Sequence, residues 1–214
     1  MGVMSKLLNQ WRKPTGWLGR AAVWAMNISR SRLTDWGLKH VAIEKHWTIL
    51  DVGCGGGMTV HKLAAIATEG KVYGIDFSEE SVTVSQRTNK RLIEMGRVEI
   101  RHGSVSCLPF SDNMFDFVTA VDSHYYWPDL AADMREVLRV LKPSGKLMII
   151  GEEPKGGIFG DLYQKWAEQF KIIYRSVREL GELLSMAGYS NVQTFEEGDR
   201  GWICGVGIKP SELF

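Results

Sequence analysis

The sequence predicts an α/β fold in which a mostly parallel β-sheet is flanked by helices and preceded by an N-terminal helical extension. From Thr48 onward, short apolar runs alternate with stretches of helical apolar spacing, as in consecutive βαβ units. The first of these runs, Ile49–Val52, leads directly into the glycine-rich turn Gly53–Gly57. The last two runs follow each other without a helix between them, which predicts a closing antiparallel pair of strands.

The predicted strands are short apolar runs bounded by glycine, proline or polar turn residues. They are Ile49–Val52, Lys71–Asp76, Val98–Arg101, Phe115–Val121, Lys146–Ile150, Val192–Glu196 and Trp202–Ile208. The predicted helices carry apolar residues three or four positions apart. They are one or two helices within Leu18–Leu38, then Met58–Ala67, a helix from Ser78 to about Met95, Leu130–Leu141 and Val177–Ala187.

The composition is that of a globular chain, with 44% hydrophobic and 24% charged residues, which excludes a disordered protein. No apolar run approaches the ~20 residues of a membrane-spanning helix. The first residues lack the apolar core of a signal peptide, so we expect a cytoplasmic protein. Three scattered cysteines make no disulfide framework, and no metal-ligand spacing is present, so no metal site is expected.

Charge is distributed unevenly along the chain. Residues 1–46 contain eight basic and two acidic residues within a net charge of +1, so the remainder carries −5. The same segment holds the tryptophans Trp11, Trp17, Trp24 and Trp36. Such a segment either binds anionic lipid, nucleic acid or an acidic small molecule, or packs its tryptophans onto the acidic main domain. We therefore separate an N-terminal extension, 1–46, from a main domain, 47–214.

The glycine turn after the first strand is suited to binding a ligand. Glycines allow a sharp turn and a close approach to main-chain N–H groups, and the next helix presents its positive dipole end. The spacing from Gly53 places Met58 where a dinucleotide fingerprint needs its third glycine, and no phosphate-binding Walker sequence follows. The turn instead reads Asp51-x-Gly53-x-Gly55-x-Gly57, with an acid inside the strand.

Several ordered motifs continue this pattern over about residues 47–150. They are Leu108-Pro109-Phe110, Phe115-Asp116 and Leu141-Lys142-Pro143-Ser144-Gly145. Together with the glycine turn they resemble the class I S-adenosylmethionine-dependent methyltransferases. The resemblance implies a Rossmann-like seven-stranded sheet and S-adenosyl-L-methionine as cofactor. It also implies that the proline motif is a turn before the fifth strand, and that 1–46 forms part of a lid over the 47–214 domain.

The cofactor-binding candidates follow the first three strands, because ligands of such sheets lie beyond the carboxyl ends of the strands. Asp51, Gly53, Gly55 and Gly57 form the turn; Asp51 either contacts the ligand or is a buried acid that bonds the loop. Asp76 has the spacing of an acid that accepts from ribose hydroxyls, with helix capping as its alternative role.

Further candidates lie next to Asp76 and after the third and fourth strands. Phe77 is placed to lie against the adenine ring. In the family, an acid usually precedes the position of Val105; here Ser104 stands there and can accept from the adenine amino group without charge.

The segment Asp122-Ser123-His124-Tyr125-Tyr126-Trp127 follows the fourth strand, where methyl donor and acceptor are expected to meet. Asp122 is a further cofactor-binding candidate. His124 and Tyr125 are the catalytic candidates, His124 as a neutral base for a hydroxyl or thiol and Tyr125 as a wall for the acceptor or the sulfonium. The alternative for these aromatic residues is packing against the next helix.

The hypothesis is therefore methyl transfer to a small-molecule acceptor by in-line displacement. A non-catalytic S-adenosylmethionine-binding adaptor and, less favoured by the glycine spacing, a nicotinamide-dependent oxidoreductase are the alternatives. No specific nucleic-acid partner is expected, because the main domain is acidic and lacks a nucleic-acid-binding module. The oligomeric state is left open, with a homodimer among the options.

Overall fold

The fold is described by a computed structural model, in which residues 30–153, 167–168 and 172–211 are described. The first described helix, α1, spans Ser31–Leu38 and is the C-terminal part of the predicted Leu18–Leu38 helical region. The rest of that prediction, apart from Arg30, lies outside the described residues. Among the described residues, no helix has the length and apolar content needed to cross a membrane.

The seven strands form one sheet, which confirms the predicted fold class. They are β1 (Ile49–Val52), β2 (Val72–Asp76), β3 (Val98–His102), β4 (Phe115–Val121), β5 (Leu141–Glu152), β6 (Ser190–Glu197) and β7 (Trp202–Ile208). Their order across the sheet is β3-β2-β1-β4-β5-β7-β6. Strands β1 to β5 pair in parallel, whereas β7 pairs antiparallel with both β5 and β6.

The remaining described helices connect these strands. They are α2 (Met58–Ile66), α3 (Glu79–Thr88), α4 (Lys90–Glu94), α5 (Leu130–Val140) and α6 (Val177–Met186), with 3-10 turns at Val105–Cys107 and His124–Tyr126. The single helix predicted from Ser78 to Met95 is two helices, interrupted at Asn89. The Asn89 amide donates to the carbonyls of Gly57 and Ser85, so this interruption ties α3 to the glycine turn.

Strand β5 begins earlier than the predicted Lys146. Its pairing with β4 starts at Leu141 opposite Phe115 and resumes at Lys146 opposite Phe117, with an irregularity between them. Ser144 lies in that irregularity with a φ of 64°. The predicted turn at 142–145 is therefore a bulge inside a longer strand.

Side chains alternate between the two faces of the sheet and build two hydrophobic clusters. Residues of β1, β4 and β5 such as Leu50, Val118 and Leu147 pack with α5 and α6 on one face. Ile49 and Phe117, one position along their strands, pack with α1, α2 and α3 on the other. Helix α1 contacts β5, β7 and α2, and Arg30 at its start reaches the carboxyl end of β4.

Candidate active site

The sheet changes strand order between β1 and β4, and the ligand crevice of such a sheet lies at the carboxyl ends of these strands. Asp51 of β1 stands opposite Thr119 of β4 in the register. A cavity of ≈ 60 Å³ opens there, between Arg30 and Thr34 on one side and the glycine turn on the other. The structure therefore brings the predicted first motif and α1 to one place.

The glycine turn depends on its glycines for its shape. Gly53, Gly55 and Gly57 have φ values of 72°, 52° and 79°, which residues with a side chain rarely adopt. A Cβ on Gly53 would lie 2.4 Å from Cβ of Ser123, whereas a Cβ on Gly55 would meet no atom within 4 Å. Gly55 consequently exposes main chain to open space above the turn.

Asp51 is buried, with 2% of its surface exposed. Its Oδ1 accepts a 2.7 Å hydrogen bond from the Thr119 hydroxyl. Burial raises the pKa of the Asp51 carboxyl to about 7; the Thr119 hydrogen bond opposes this shift and the negative charge of Asp76 adds to it. The acid therefore bonds the neighbouring strand and lines the cavity at the same time.

Asp76 connects the glycine turn to the start of α3. Its two carboxylate oxygens accept hydrogen bonds from the backbone N–H groups of Gly55 (2.8 Å) and Ser78 (2.9 Å). Burial raises the pKa of this carboxyl, and these amide bonds oppose the shift. The Ser81 side chain adds a third hydrogen bond, and because each carboxylate oxygen can accept two, Asp76 retains some acceptor capacity. The neighbouring Phe77 is 43% exposed, which is unusual for a phenylalanine beside a buried strand.

Ser104 and Val105 follow β3 at the same edge of the sheet. The Ser104 hydroxyl accepts from the Ser106 N–H at 3.2 Å and so begins the 3-10 turn that contains Val105. Val105 is buried beneath this turn. Ser104 is thus an exposed residue at this edge of the sheet, and Val105 is a buried residue beneath it.

Asp122 lies directly after β4 with a φ of 50°. Its Oδ2 forms a 2.7 Å ion pair with Nε of Arg30. Burial raises the pKa of the Asp122 carboxyl, and the Arg30 charge opposes this shift. Within the described part of the chain, the buried Oδ1 atom of Asp122 has no hydrogen-bond partner.

Arg30 is a site residue that the sequence analysis did not single out. Its spacing from the glycine turn carries no motif; the only signal was the excess of basic residues in 1–46. Helix α1, which begins at Ser31, positions it over the carboxyl end of β4. The tertiary fold alone brings it to Asp122.

His124 is buried, with 2% of its surface exposed, and neither ring nitrogen has a hydrogen-bond partner among the described residues. Burial and the positive charge of Arg175 lower its pKa to about 3, so the imidazole is neutral. The ring centroid of Tyr125 lies 3.9 Å from that of His124. The Tyr125 hydroxyl donates to the carbonyl of Glu152 and accepts from its N–H, which fixes Tyr125 against the end of β5.

These groups match the parts of an adenosyl amino acid. Vicinal ribose hydroxyls require a carboxylate with free acceptor capacity, which Asp76 offers. An ammonium group requires an anionic acceptor, and the unpartnered Oδ1 of Asp122 and the buried Asp51 provide two within the described part of the chain. The open space above Gly55 leaves room for such a molecule to lie on the turn. The residues present therefore fit S-adenosyl-L-methionine.

Comparison with known proteins gives the same assignment. Residues 50–149 match the family model described as "Methyltransferase domain". Over 179 residues the chain is 31% identical to the demethylmenaquinone methyltransferase of Listeria monocytogenes, covering 73% of this chain and 75% of that protein. A relative of the same name from Bacillus mycoides is 31% identical over 167 residues, or 67% of this chain and 70% of that protein.

Solved structures show the same fold. An S-adenosylmethionine-dependent methyltransferase from Aquifex aeolicus superposes with a TM-score of 0.73 at 24% identity, over 89% of this chain and 98% of that one. A chain from the complex of the Haloferax volcanii Trm112 methyltransferase activator with a methyltransferase superposes with a TM-score of 0.76 at 19% identity, over 89% and 94%. The chain therefore belongs to the class I S-adenosylmethionine-dependent methyltransferases, and it is an enzyme that uses S-adenosyl-L-methionine as its cofactor.

Proposed function

We propose that this enzyme transfers a methyl group to a small-molecule acceptor by in-line displacement at the carboxyl ends of β1 and β4. The observation that carries the proposal is the arrangement of the site: Arg30 is bonded to Asp122 beside a small cavity that lies between α1 and the glycine turn. A confined site of this kind suits a small acceptor better than a nucleic-acid strand. The acidic balance of residues 47–214 supports the same choice.

The adenosine end of the cofactor is assigned to the edge formed by β2 and β3. Asp76 accepts hydrogen bonds from the ribose hydroxyls while its two amide bonds hold its carboxylate in place. The exposed Phe77 lies against the adenine ring. Ser104 accepts from the adenine amino group, and the Val105 N–H donates to the ring. Gly53, Gly55 and Gly57 shape the turn on which the cofactor lies.

The amino-acid end is assigned to the charged groups at the switch in strand order. Arg30 binds the carboxylate, and Asp51 and Asp122 accept from the ammonium group. When bound, the cofactor supplies a methyl group on a positively charged sulfur that is a good leaving group. The protein therefore needs chiefly to align the acceptor and to exclude water, which α1 and the aromatic residues after β4 do.

His124 and Tyr125 are assigned to the acceptor side. A neutral imidazole can accept the proton of an acceptor hydroxyl or thiol. A pKa of about 3 makes His124 a weak base, so we assign it to orient the acceptor by accepting a hydrogen bond from its hydroxyl or thiol. Tyr125 is held by the backbone of Glu152, and its ring forms a wall beside His124. We also assign residues 1–46 as part of the lid, since Arg30 and α1 already cover the cavity.

Demethylmenaquinone is the first acceptor to test, because relatives that are 31% identical carry its name. The experiment incubates the purified enzyme with S-adenosyl-L-methionine and a panel of acceptors and measures the S-adenosylhomocysteine that forms. The panel contains demethylmenaquinone in reduced and oxidised form, small phenols, thiols and amines, and an RNA oligonucleotide. We expect turnover with at least one small molecule and none with RNA.

Two outcomes would overturn the proposal. Turnover with RNA would refute the small-molecule acceptor. Binding of S-adenosylhomocysteine in isothermal titration without turnover on any panel member would favour the adaptor alternative. A His124→Gln variant provides the matched test of the acceptor side. It should lower turnover and leave the affinity for S-adenosylhomocysteine unchanged, because His124 is assigned no contact with the cofactor.

A further inference from the structure

Helix α1 separates the donor cavity from a second pocket. Arg30 and Thr34 face the donor cavity. The second pocket, of ≈ 380 Å³, borders another face of the helix, where residues three or four positions apart lie next to each other. These are Arg32, Asp35, Trp36 and Lys39, and the opposite wall is formed by Glu197, Arg200 and Trp202 at the β6–β7 turn.

The pocket combines flat apolar surface with positive charge. The rings of Trp36 and Trp202 lie 5.9 Å apart at an angle of 51°. The Arg200 guanidinium lies 4.6 Å from the Trp202 ring centroid. Asp35 is paired with Lys62, which lies outside the pocket. Within residues 30–153 and 172–211, no ion pair engages the three basic side chains that line the pocket, Arg32, Lys39 and Arg200.

The pocket also lies close to the place of methyl transfer. Trp202 pairs with Glu152 at the end of β5, and β5 lies beside β4, which ends at Val121, just before Asp122. Adjacent strands are ~4.8 Å apart, so Trp202 is roughly 10 Å from the end of β4. Arg30 and Asp122 both act electrostatically on Glu152, which places all three charges near one another. The distance between the pocket and the transfer point is therefore within the length of a single small molecule.

We propose that this pocket recognises the acceptor and selects one that carries an acidic group on a flat apolar body. The indoles of Trp36 and Trp202 hold the flat body, and Arg32, Lys39 and Arg200 bind a carboxylate or phosphate. This inference rests on the proposed small-molecule acceptor. It also accounts for part of the basic, tryptophan-rich character of 1–46. An anionic membrane surface fits less well, because two carboxylates, Glu197 and Asp35, lie at the walls of the pocket.

The test compares two probes that differ only in charge, 2-naphthoate and 2-naphthamide. Each is titrated calorimetrically into the full-length enzyme saturated with S-adenosylhomocysteine. We expect the acid to bind about tenfold more tightly than the amide, since a charge-assisted contact is roughly twice as strong as a neutral one. The triple variant Arg32→Gln/Lys39→Gln/Arg200→Gln should remove that preference and leave the affinity for the amide unchanged.

The control is Arg178→Gln, which removes an exposed charge on α6, a helix that packs on the opposite face of the sheet. It should bind both probes like the parent. Equal affinity of the parent for the two probes, or an unaltered preference in the triple variant, would refute the pocket assignment. So would binding of phosphatidylglycerol vesicles by an enzyme that does not bind the acid.

The readouts distinguish this inference from the proposed function. If the parent enzyme binds S-adenosylhomocysteine and methylates a small molecule but does not bind 2-naphthoate, the proposed function stands and the pocket assignment is refuted. Turnover confined to RNA would remove the small-molecule acceptor, and the pocket's role in acceptor recognition with it, even if the probe bound. Unchanged affinity of the triple variant for S-adenosylhomocysteine confirms that its effect on the probe is local.

Discussion

Replacing Asp51 by asparagine should make the protein more stable and weaken its binding of the cofactor. Asp51 is almost fully buried, and its pKa rises to about 7 from a usual value of 3.8. The folded state therefore holds the carboxyl proton more tightly than the unfolded state does. Stability consequently falls as the pH rises from about 4 to about 7, and above that range the full cost of the buried charge is present.

The size of this effect follows from the pKa shift. A shift of about three units corresponds to about 4 kcal/mol at 1.36 kcal/mol per unit, which is an upper bound for one buried group. The asparagine side chain would keep an oxygen that can accept from the Thr119 hydroxyl. We therefore expect Asp51→Asn to raise the free energy of unfolding at pH 8 by about 2–4 kcal/mol and to change it little near pH 4.

Binding should change in the opposite direction. Asp51 is assigned to the ammonium group of the cofactor, and a hydrogen bond to a charged group contributes about 1.5–3 kcal/mol. Asp51→Asn should thus weaken the binding of S-adenosylhomocysteine at pH 8 by roughly 10- to 150-fold. In the parent, affinity should rise between pH 6 and pH 8 as Asp51 ionises, and the variant should lose this rise.

The assays are urea unfolding at pH 4, 6 and 8 and isothermal titration with S-adenosylhomocysteine at pH 6 and 8. Glu69→Gln, which removes an exposed carboxyl group away from the cavity, serves as the control. The reasoning is refuted if Asp51→Asn shows the parent's dependence of stability on pH, or if it binds S-adenosylhomocysteine as tightly as the parent at pH 8.

Three further predictions concern the same site. Asp76→Ala should weaken S-adenosylhomocysteine binding roughly 10- to 100-fold in isothermal titration; parent-like affinity would remove the ribose assignment. Gly53→Ala should lower the free energy of unfolding by about 1–3 kcal/mol, measured by urea unfolding, because the new Cβ would approach Ser123 at a φ of 72°; an unchanged urea midpoint would contradict the close packing. Arg30→Ala should weaken the binding of S-adenosylhomocysteine about tenfold but leave unchanged that of 5′-methylthioadenosine, which lacks the amino-acid end; equal losses of affinity would show that Arg30 does not bind the carboxylate.

The strands and the glycine turn could be predicted because each depends on the properties of a few consecutive residues. Apolar runs such as Phe115–Val121 indicate buried strands because alternating side chains of a central strand must be covered on both faces. The left-handed turn at Gly53–Gly57 can be predicted from the sequence, because glycine is the residue that adopts positive φ without strain. The position of Asp76 at the end of a buried strand could also be predicted from a local apolar run, whereas its contact with the ribose stays a prediction.

Other features depended on contacts between distant segments. The break at Asn89 arises because its side chain bonds to Gly57, 32 residues away. Strand β5 starts early because it pairs with β4 across a bulge. The residues of that bulge, Lys142–Gly145, are typical turn residues, so the sequence predicts a turn there. His124 stands where the sequence placed it, after β4, but its burial and its low pKa follow from the segments packed around it.

The sheet, the glycine turn and the family could be predicted from the sequence, since each rests on a few consecutive residues whose backbone or burial requirements are specific. The contacts of Arg30 with Asp122 and of Trp36 with Trp202 form only when the chain folds. Those pairs join α1 to strand ends about 90 to 170 residues further along the chain. No local pattern encodes such contacts, because they arise from the packing of whole elements rather than from neighbouring residues.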